Sequence, residues 1–398
     1  MATASTYDLL VVGAGILGTF HAYHARSAGL KVALIEQHKQ PQGASTRNFG
    51  QVVPSGMSAK WKAIGRESLA IYKALQEKAG FPLQPDGSVY IASNAEEVGL
   101  IEELEMRNRT AGYPAQLLTK AECLGRWPVL QPSYCQAGLF FPEEISLDAR
   151  VAVHRIIDYM VEQMALDYYP ACQIQQAEVA GSRVQLRSSD GQAFAGEQAV
   201  ICSGSEFQTL FPERFRESAL VAVKLQMLRT VPQPTQRTRG NILTGRTIRR
   251  YESFAECPSY AAVKAREPET SFAKQYGVHL LLTQAPDGTV VLGDSHEYAD
   301  AKDQDDLGYG LNNTINRFMM DEAMKIFQLQ NWQIQNAWYG IYSQCKQQDL
   351  FQETIEDRLH IVTGIGGKGM TGSPGFAARN IRQLLTGKLE RLDEAGER

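Results

Sequence analysis

Three glycines and one acid near the N-terminus are spaced for phosphate chemistry. In VVGAGILG, Gly13, Gly15 and Gly18 stand in the order G-x-G-x-x-G. An apolar run, Asp8 to Val12, precedes them, and from Ile16 to Gly29 the pattern is helical, marked by Leu17, Phe20, His21, His24 and Ala28. A second apolar run, Lys31 to Ile35, ends at Glu36, eighteen residues past Gly18. Strand, glycine turn, helix and strand make a right-handed crossover. In such a unit the first glycine permits the turn, the second lets backbone approach a pyrophosphate, and the third lets helix pack on sheet. The helix N-terminus then offers unpaired N–H groups to the phosphates. Glu36 would accept from ribose hydroxyls and disfavours a 2′-phosphate, so the expected ligand is FAD or NAD rather than NADP.

A second glycine cluster stands near the C-terminus. Gly364, Gly366, Gly367 and Gly369 surround Lys368 in GIGGKGMTGSPG, after the apolar strand Leu359 to Thr363. Such a loop brings backbone N–H groups close to a planar acceptor on which negative charge develops. Other candidate cations are Arg47 in the loop Gly43 to Gly56, and Arg246, Arg249 and Arg250 in TGRTIRRYESF. Three guanidinium groups either cradle a dianion or form a solvated strand edge. Tyr251, Tyr260, His279 and Trp338 are candidate walls of a pocket, or core.

The elements that must position these residues obey the same periodicities. Helices are expected over Lys60 to Gly80 and Ala95 to Thr110, with a strand at Ser88 to Ala92 between them. Strands are expected at Tyr134 to Phe141, Ala219 to Thr230, Tyr276 to Thr283 and Thr289 to Leu292, a mixed or antiparallel sheet. Arg183 to Arg187, the turn Ser189-Asp190-Gly191 and Gln198 to Cys202 read as a return to the first sheet, and a last helix runs from the C-terminal glycine loop to Gly387. The expected fold is α/β, an FAD-binding Rossmann-like unit with an inserted α+β substrate domain on a largely antiparallel sheet. The first unit comprises 1–50, 143–215 and 335–398, and the second 51–142 and 216–334.

Composition narrows the partners. Lys plus Arg number 40 and Asp plus Glu 44, a formal charge of −4, and no basic block suits a polyanion, so nucleic acid is not an expected partner. The six cysteines are scattered without a C-x-x-C pair or a Cys/His cluster, and are expected as reduced thiols in a cytoplasmic protein without a metal. Neither a cleavable leader nor a membrane-spanning helix is expected.

The order of these segments resembles the FAD-dependent oxidoreductases of the D-amino-acid oxidase superfamily, which includes glycine oxidase and monomeric sarcosine oxidase. The matching segments are VVGAGILG with Glu36, GASTRNFG (43–50), AVICSGS (199–205), VVLGDSHEY (290–298), WYGIY (338–342) and TGIGGKGM (363–370). The resemblance implies FAD, with contacts from Gly13, Ala14, Gly15, Ile16, Leu17 and Gly18, from Glu36 and Gln37, and from Ser45, Thr46, Arg47, Asn48, Phe49 and Gly50. Further contacts come from Gln173, Ser203, Gly204, Gly340, Gly366, Gly367, Lys368, Gly369 and Met370. It also implies hydride transfer from the carbon beside an amine nitrogen, with Lys368 and Tyr342 nearest the chemistry and dioxygen or another acceptor taking the electrons.

Departures from the pattern matter as much. Tyr342 stands where many members carry an Arg that forks onto a substrate α-carboxylate, so a plain α-amino acid is disfavoured; glycine, sarcosine and D-amino acids remain the alternative. Gly340 stands where some sarcosine oxidases carry a flavin-attaching cysteine, and Cys345 is five residues out of register, so noncovalent FAD is expected. RNFGQVVPSG and KLQMLRT are similar to members associated with phosphonate catabolism, which implies a small anionic amine such as 2-aminoethylphosphonate or its N-methyl form. An NAD-dependent dehydrogenase would not need the C-terminal glycine loop. A non-catalytic flavin-binding assembly protein would hold flavin that no amine bleaches.

Overall fold

The computed structural model describes residues 6–387, so residues 1–5 and 388–398, the outer ends of the expected FAD-binding unit, lie outside the described residues. Thr6–Val12 forms the expected first strand, and Val32–Ile35 pairs parallel to it on one side with Ala193–Ile201 parallel on the other. Both faces are covered: helices such as Ile16–Ser27 and Gly369–Thr386 pack on one, and Phe207, Leu210, Phe215 and Leu220 on the other. Val12 pairs with both Ile35 and Ile201, so the three strands end together, leaving a crevice at their carboxyl ends. Beyond them the eight-stranded sheet adds Asp167–Tyr169 on one edge and Arg183–Ser188 then Ile174–Ala180 on the other, while Leu359–Thr363 lies parallel to the end of Ala193–Ile201 and pairs with Phe351–Ile355.

A second, nine-stranded sheet runs from Glu297–Asp300 through Leu220–Thr230, Val290–Gly293, Leu281–Gln284, Asn241–Leu243, Ser88–Ala92 and Ala137–Phe141 to Gln116–Thr119. Its pairings are antiparallel except between Asn241–Leu243 and Ser88–Ala92. Ile334–Cys345, most of it counted from the sequence with the FAD-binding unit, is hydrogen-bonded along Leu220–Thr230 in this second sheet. A small third sheet joins Gln51–Val52, Ile145–Leu147 and Leu83–Gln84. The architecture is therefore a mixed α/β fold with a largely antiparallel second sheet.

Two expectations are corrected. The strand placed at Tyr276 to Thr283 is confined to Leu281–Gln284, because a short helix, Phe272–Gln275, precedes it and Gly277 at φ +53° turns the chain. The C-terminal glycine loop is shorter than Gly364 to Gly375: Gly366–Lys368 is a single 3₁₀ turn and the helix begins at Gly369, running to Thr386. Its later glycines serve packing. A Cβ at Gly372 would sit 2.8 Å from the Trp61 ring, and one at Gly375 2.4 Å from the carbonyl of Ile64, so the helix lies directly against Ala59–Ala79. Pro374 inside this helix has no N–H for the carbonyl of Met370. The hydroxyl of Tyr72 donates to that carbonyl instead, at 2.9 Å.

Candidate active site

A cavity of about 840 Å³ opens at the crevice and extends to the second sheet. At its first end the turn after Thr6–Val12 is built as the glycine spacing requires. Gly13 adopts φ +94°, and a Cβ there would lie 2.3 Å from the carbonyl oxygen of Cys202. A Cβ on Gly18 would meet the carbonyl oxygen of Gly13 at 1.9 Å, so this glycine serves helix packing rather than the cavity wall. Gly15 faces the cavity, where the nearest atom to an added Cβ is the Ser45 hydroxyl at 3.2 Å.

Glu36 is buried against this turn, its carboxylate accepting from the N–H of Ala14 (2.9 Å) and of His38 (3.0 Å). Ser45 Oγ accepts from the N–H of Ile16 at 2.8 Å, so the loop after the second strand caps the helix. Ser203 Oγ, on the cavity wall, is buried without a hydrogen-bond partner. Open glycine backbone, an acid at the strand end and an orphaned hydroxyl fit an adenine dinucleotide, whose phosphates and hydroxyls would supply the missing partners.

Most of the residues singled out from the sequence do line this one cavity. Ile16, Leu17, Gln37, Arg47, Asn48 and Phe49 stand on its first side, Gln173 and Gly204 across from them, and Gly366, Gly367, Lys368, Gly369 and Met370 at the C-terminal turn. Ala14, Thr46, Gly50 and Gly340 stand behind the wall. Gly50, at φ +72°, has its α-carbon pressed toward the carbonyl of Leu147, and Gly340 lies beneath Arg47.

The expected cradle of three guanidinium groups does not form. Arg246 pairs with Glu322 at 2.5 Å, and Arg249 with Glu97 at 2.8 Å and Glu96 at 3.1 Å, both off the cavity wall. Arg246 lies on the short helical turn Gly245–Ile248 and Arg249 caps its C-terminal end, which aims both at the acids of neighbouring helices. Arg250 alone of the three lines the cavity, bonded to Tyr298 Oη at 3.1 Å and to the carbonyl of Gly277 at 3.4 Å, with no carboxylate in ion-pair distance among the described residues. Trp338 and Tyr260 are also off the wall: the indole N–H of Trp338 donates to the carbonyl of Arg47, and Tyr260 Oη to that of Arg249.

Lys368 is placed as expected, but it is not a free cation. Its ammonium lies 2.6 Å from Glu252 and 3.0 Å from Asp349. Arg47, also on the cavity wall, bonds to the carbonyls of Gln42 and Tyr339 and, like Arg250, has no carboxylate in ion-pair distance among the described residues. Tyr251 and Tyr342 wall the cavity, and burial pushes both phenols well above the ordinary range, so both are protonated. Gly56 makes room for Tyr251, since a Cβ there would fall 2.3 Å from its ring.

His279 lines the cavity as expected, and it has partners that sequence reasoning missed. Its Nε2 lies 2.7 Å from Asp294 Oδ1, and its ring stacks on His296 with centroids 5.4 Å apart. Asp294 and His296 face the same cavity. Burial works against a charge on Asp294, but His279, His296 and Arg250 hold its carboxyl down at about 2. Burial, with Arg250 adding to it, pushes His296 down to about 3, so this ring is neutral at physiological pH. The available signal was D-x-H directly after the apolar run VVLG, since polar side chains at a buried strand end face either a cavity or a partner.

The profile of the family described as FAD dependent oxidoreductase, DAO, matches residues 8–381. The chain belongs to this family. As a member it is an FAD-dependent oxidoreductase. The fold superposes on glycine oxidase from Geobacillus kaustophilus with a TM-score of 0.77 at 18% identity, covering 99% of this chain and 98% of that one. It superposes on FAD-bound L-α-glycerophosphate oxidase from Mycoplasma pneumoniae with a TM-score of 0.76 at 16% identity, over 97% and 96% of the two chains. By sequence it is 29% identical to glycerol 3-phosphate oxidase of Mycoplasma pneumoniae over 37% of this chain, and 21% identical to N-methyl-L-tryptophan oxidase of Yersinia pestis over 52%. These matches span 40% and 56% of the two relatives' lengths. No helix among the described residues is long and apolar enough to cross a membrane.

Proposed function

We propose that this oxidoreductase oxidises a small amine carrying an anionic group, with 2-aminoethylphosphonate or its N-methyl form as the leading substrate. The observation that carries the reading is Arg250. Arg246, Arg249 and Lys368 are each neutralised by carboxylates, whereas the Arg250 guanidinium reaches the cavity with only neutral oxygens bonded to it. A planar fork of this kind binds a phosphonate or carboxylate through paired hydrogen bonds. Similarity to glycine oxidase and N-methyl-L-tryptophan oxidase supports an amine; similarity to glycerol 3-phosphate oxidase favours a phosphate-bearing alcohol as the second reading.

FAD, when bound, would accept a hydride from the carbon beside the substrate nitrogen once the ammonium has lost a proton to solvent, and the resulting iminium would hydrolyse to an aldehyde or keto product and an ammonium ion. The chain's own contribution is positional. Gly13, Gly15, Glu36 and Ser203 hold the cofactor noncovalently, Tyr251 and Tyr342 exclude water from the reacting end, and Arg250 fixes the anion. Dioxygen or another acceptor would take up the electrons.

Anaerobic bleaching of the flavin tests the reading, using glycine, sarcosine, D-amino acids, 2-aminoethylphosphonate, its N-methyl form and glycerol 3-phosphate. The aminophosphonates should bleach fastest, and faster reaction of a neutral amine, a D-amino acid or the alcohol overturns the assignment. Arg250→Leu should weaken anionic amines by about tenfold or more while sparing a neutral amine, the value of a charge-assisted contact of roughly 1.5–3 kcal/mol. Equal loss on both would make Arg250 structural.

A further inference from the structure

We propose that Asp294, set between His279 and His296, is the receptor for the protonated nitrogen of the substrate and makes the site choose an ammonium group over a hydroxyl. This rests on the reading of the cavity as an amine site. Asp294 comes directly after the strand Val290–Gly293, is 5% exposed, and lines the cavity. Its close side-chain partner is the imidazole of His279, with Nε2 2.7 Å from Oδ1, and among the described residues no lysine or arginine lies in ion-pair distance of it. A carboxylate oxygen in that position costs free energy until a donor, best a cationic one, reaches it.

No lysine or arginine pairs with it among the described residues. His296 Nδ1 is 4.0 Å away and 3.1 Å from the carbonyl of Gly277. A carbonyl accepts only, so Nδ1 carries the proton and Nε2 of this neutral ring keeps a lone pair. Arg250 acts on Asp294 from beyond ion-pair distance, and the protonated phenols of Tyr251 and Tyr342 stand near enough to feel its charge. A carboxylate without a lysine or arginine partner, Asp294, and a guanidinium without a carboxylate partner, Arg250, in one cavity are complementary to a molecule with an ammonium at one end and an anion at the other.

The ligand atoms of His279, Asp294 and His296 lie within 4.8 Å of one another, a span that also suits a metal ion. The nearby Arg250 guanidinium works against a divalent cation there.

The test is binding, measured by calorimetry on the FAD-loaded enzyme with its flavin already reduced so that nothing turns over. The probes are 2-aminoethylphosphonate and 2-hydroxyethylphosphonate, which differ in the ammonium group. Wild type at pH 7 should prefer the amine by about 10- to 100-fold. That preference should fade above about pH 10, as the amine loses its proton. Asp294→Asn should bind both compounds alike, Asp294→Glu should keep part of the preference, and Arg250→Leu should weaken both equally and leave their ratio intact. Should Asp294→Asn fail to fold, as judged by melting and FAD content, the wild-type pH series and Asp294→Glu still decide. An Asp294→Asn protein that keeps the full preference, or a wild type that binds both equally, overturns the proposal. So does a stoichiometric divalent metal whose chelation abolishes binding. If the preference holds but no amine bleaches the oxidised enzyme, the amine-oxidising reading falls while the ammonium receptor stands.

Discussion

Gly13 and Gly15 sit two residues apart and answer to different constraints. At Gly13 the left-handed backbone and the Cys202 carbonyl, 2.3 Å from any added Cβ, make glycine a condition of the strand-to-helix turn itself. At Gly15 the backbone is ordinary, with φ −63°, and an added side chain meets only the Ser45 hydroxyl before entering the cavity. Gly15→Val should therefore fold, with an unchanged far-ultraviolet dichroism spectrum, and purify without flavin, because the side chain takes the pyrophosphate's place. Full flavin occupancy in that variant would show that the phosphates lie elsewhere.

The same residue type carries a different duty in the C-terminal helix. Gly372 and Gly375 let Gly369–Thr386 touch Ala59–Ala79, and the Gly375 N–H donates to Ser68 Oγ at 2.9 Å. This contact sets where the 3₁₀ turn Gly366–Lys368 meets the cavity, since turn and helix are continuous. Gly375→Ala must push the helices apart at a backbone carbonyl that has nowhere to move. The expected cost is about 1–3 kcal/mol, as for other overpacked interiors. A denaturant melt with lowered midpoint and unchanged slope checks it; an unchanged midpoint would mean the helices part without strain.

For the molecule as a whole, the cavity is the seam between the two larger sheets, lined from the first by Gly13, Glu36 and Ser203 and from the second by Leu225, Leu281 and Tyr342. A ligand that fills such a seam stabilises both sides together. Saturating FAD at a hundred times its dissociation constant should add about 2.7 kcal/mol to unfolding. Stripped protein should thus melt earlier, and in one transition. Because the cofactor is proposed to be noncovalent, denaturation without proteolysis should release one FAD per chain. Flavin that stays with the denatured polypeptide would contradict that.

How much was legible in advance divides along physical lines. Backbone constraints are local, so the glycine spacing, the acid at the end of the second strand and the parallel strands around them could be read from neighbouring residues alone. The loops carrying Lys368 and Arg47 were legible in the same way. Charge pairing is not local. Nothing near Lys368 announces Glu252 or Asp349, and nothing near Arg246 and Arg249 announces Glu322 or Glu96 and Glu97, 76 and about 150 residues away in the chain. Side-chain chemistry visible in sequence therefore included cations that the fold had already neutralised. Only tertiary structure distinguished Arg250 from its two neighbours and brought Asp294 and His296 to His279, because whether a charge is free or spent depends on what the packed chain places within about 4 Å of it.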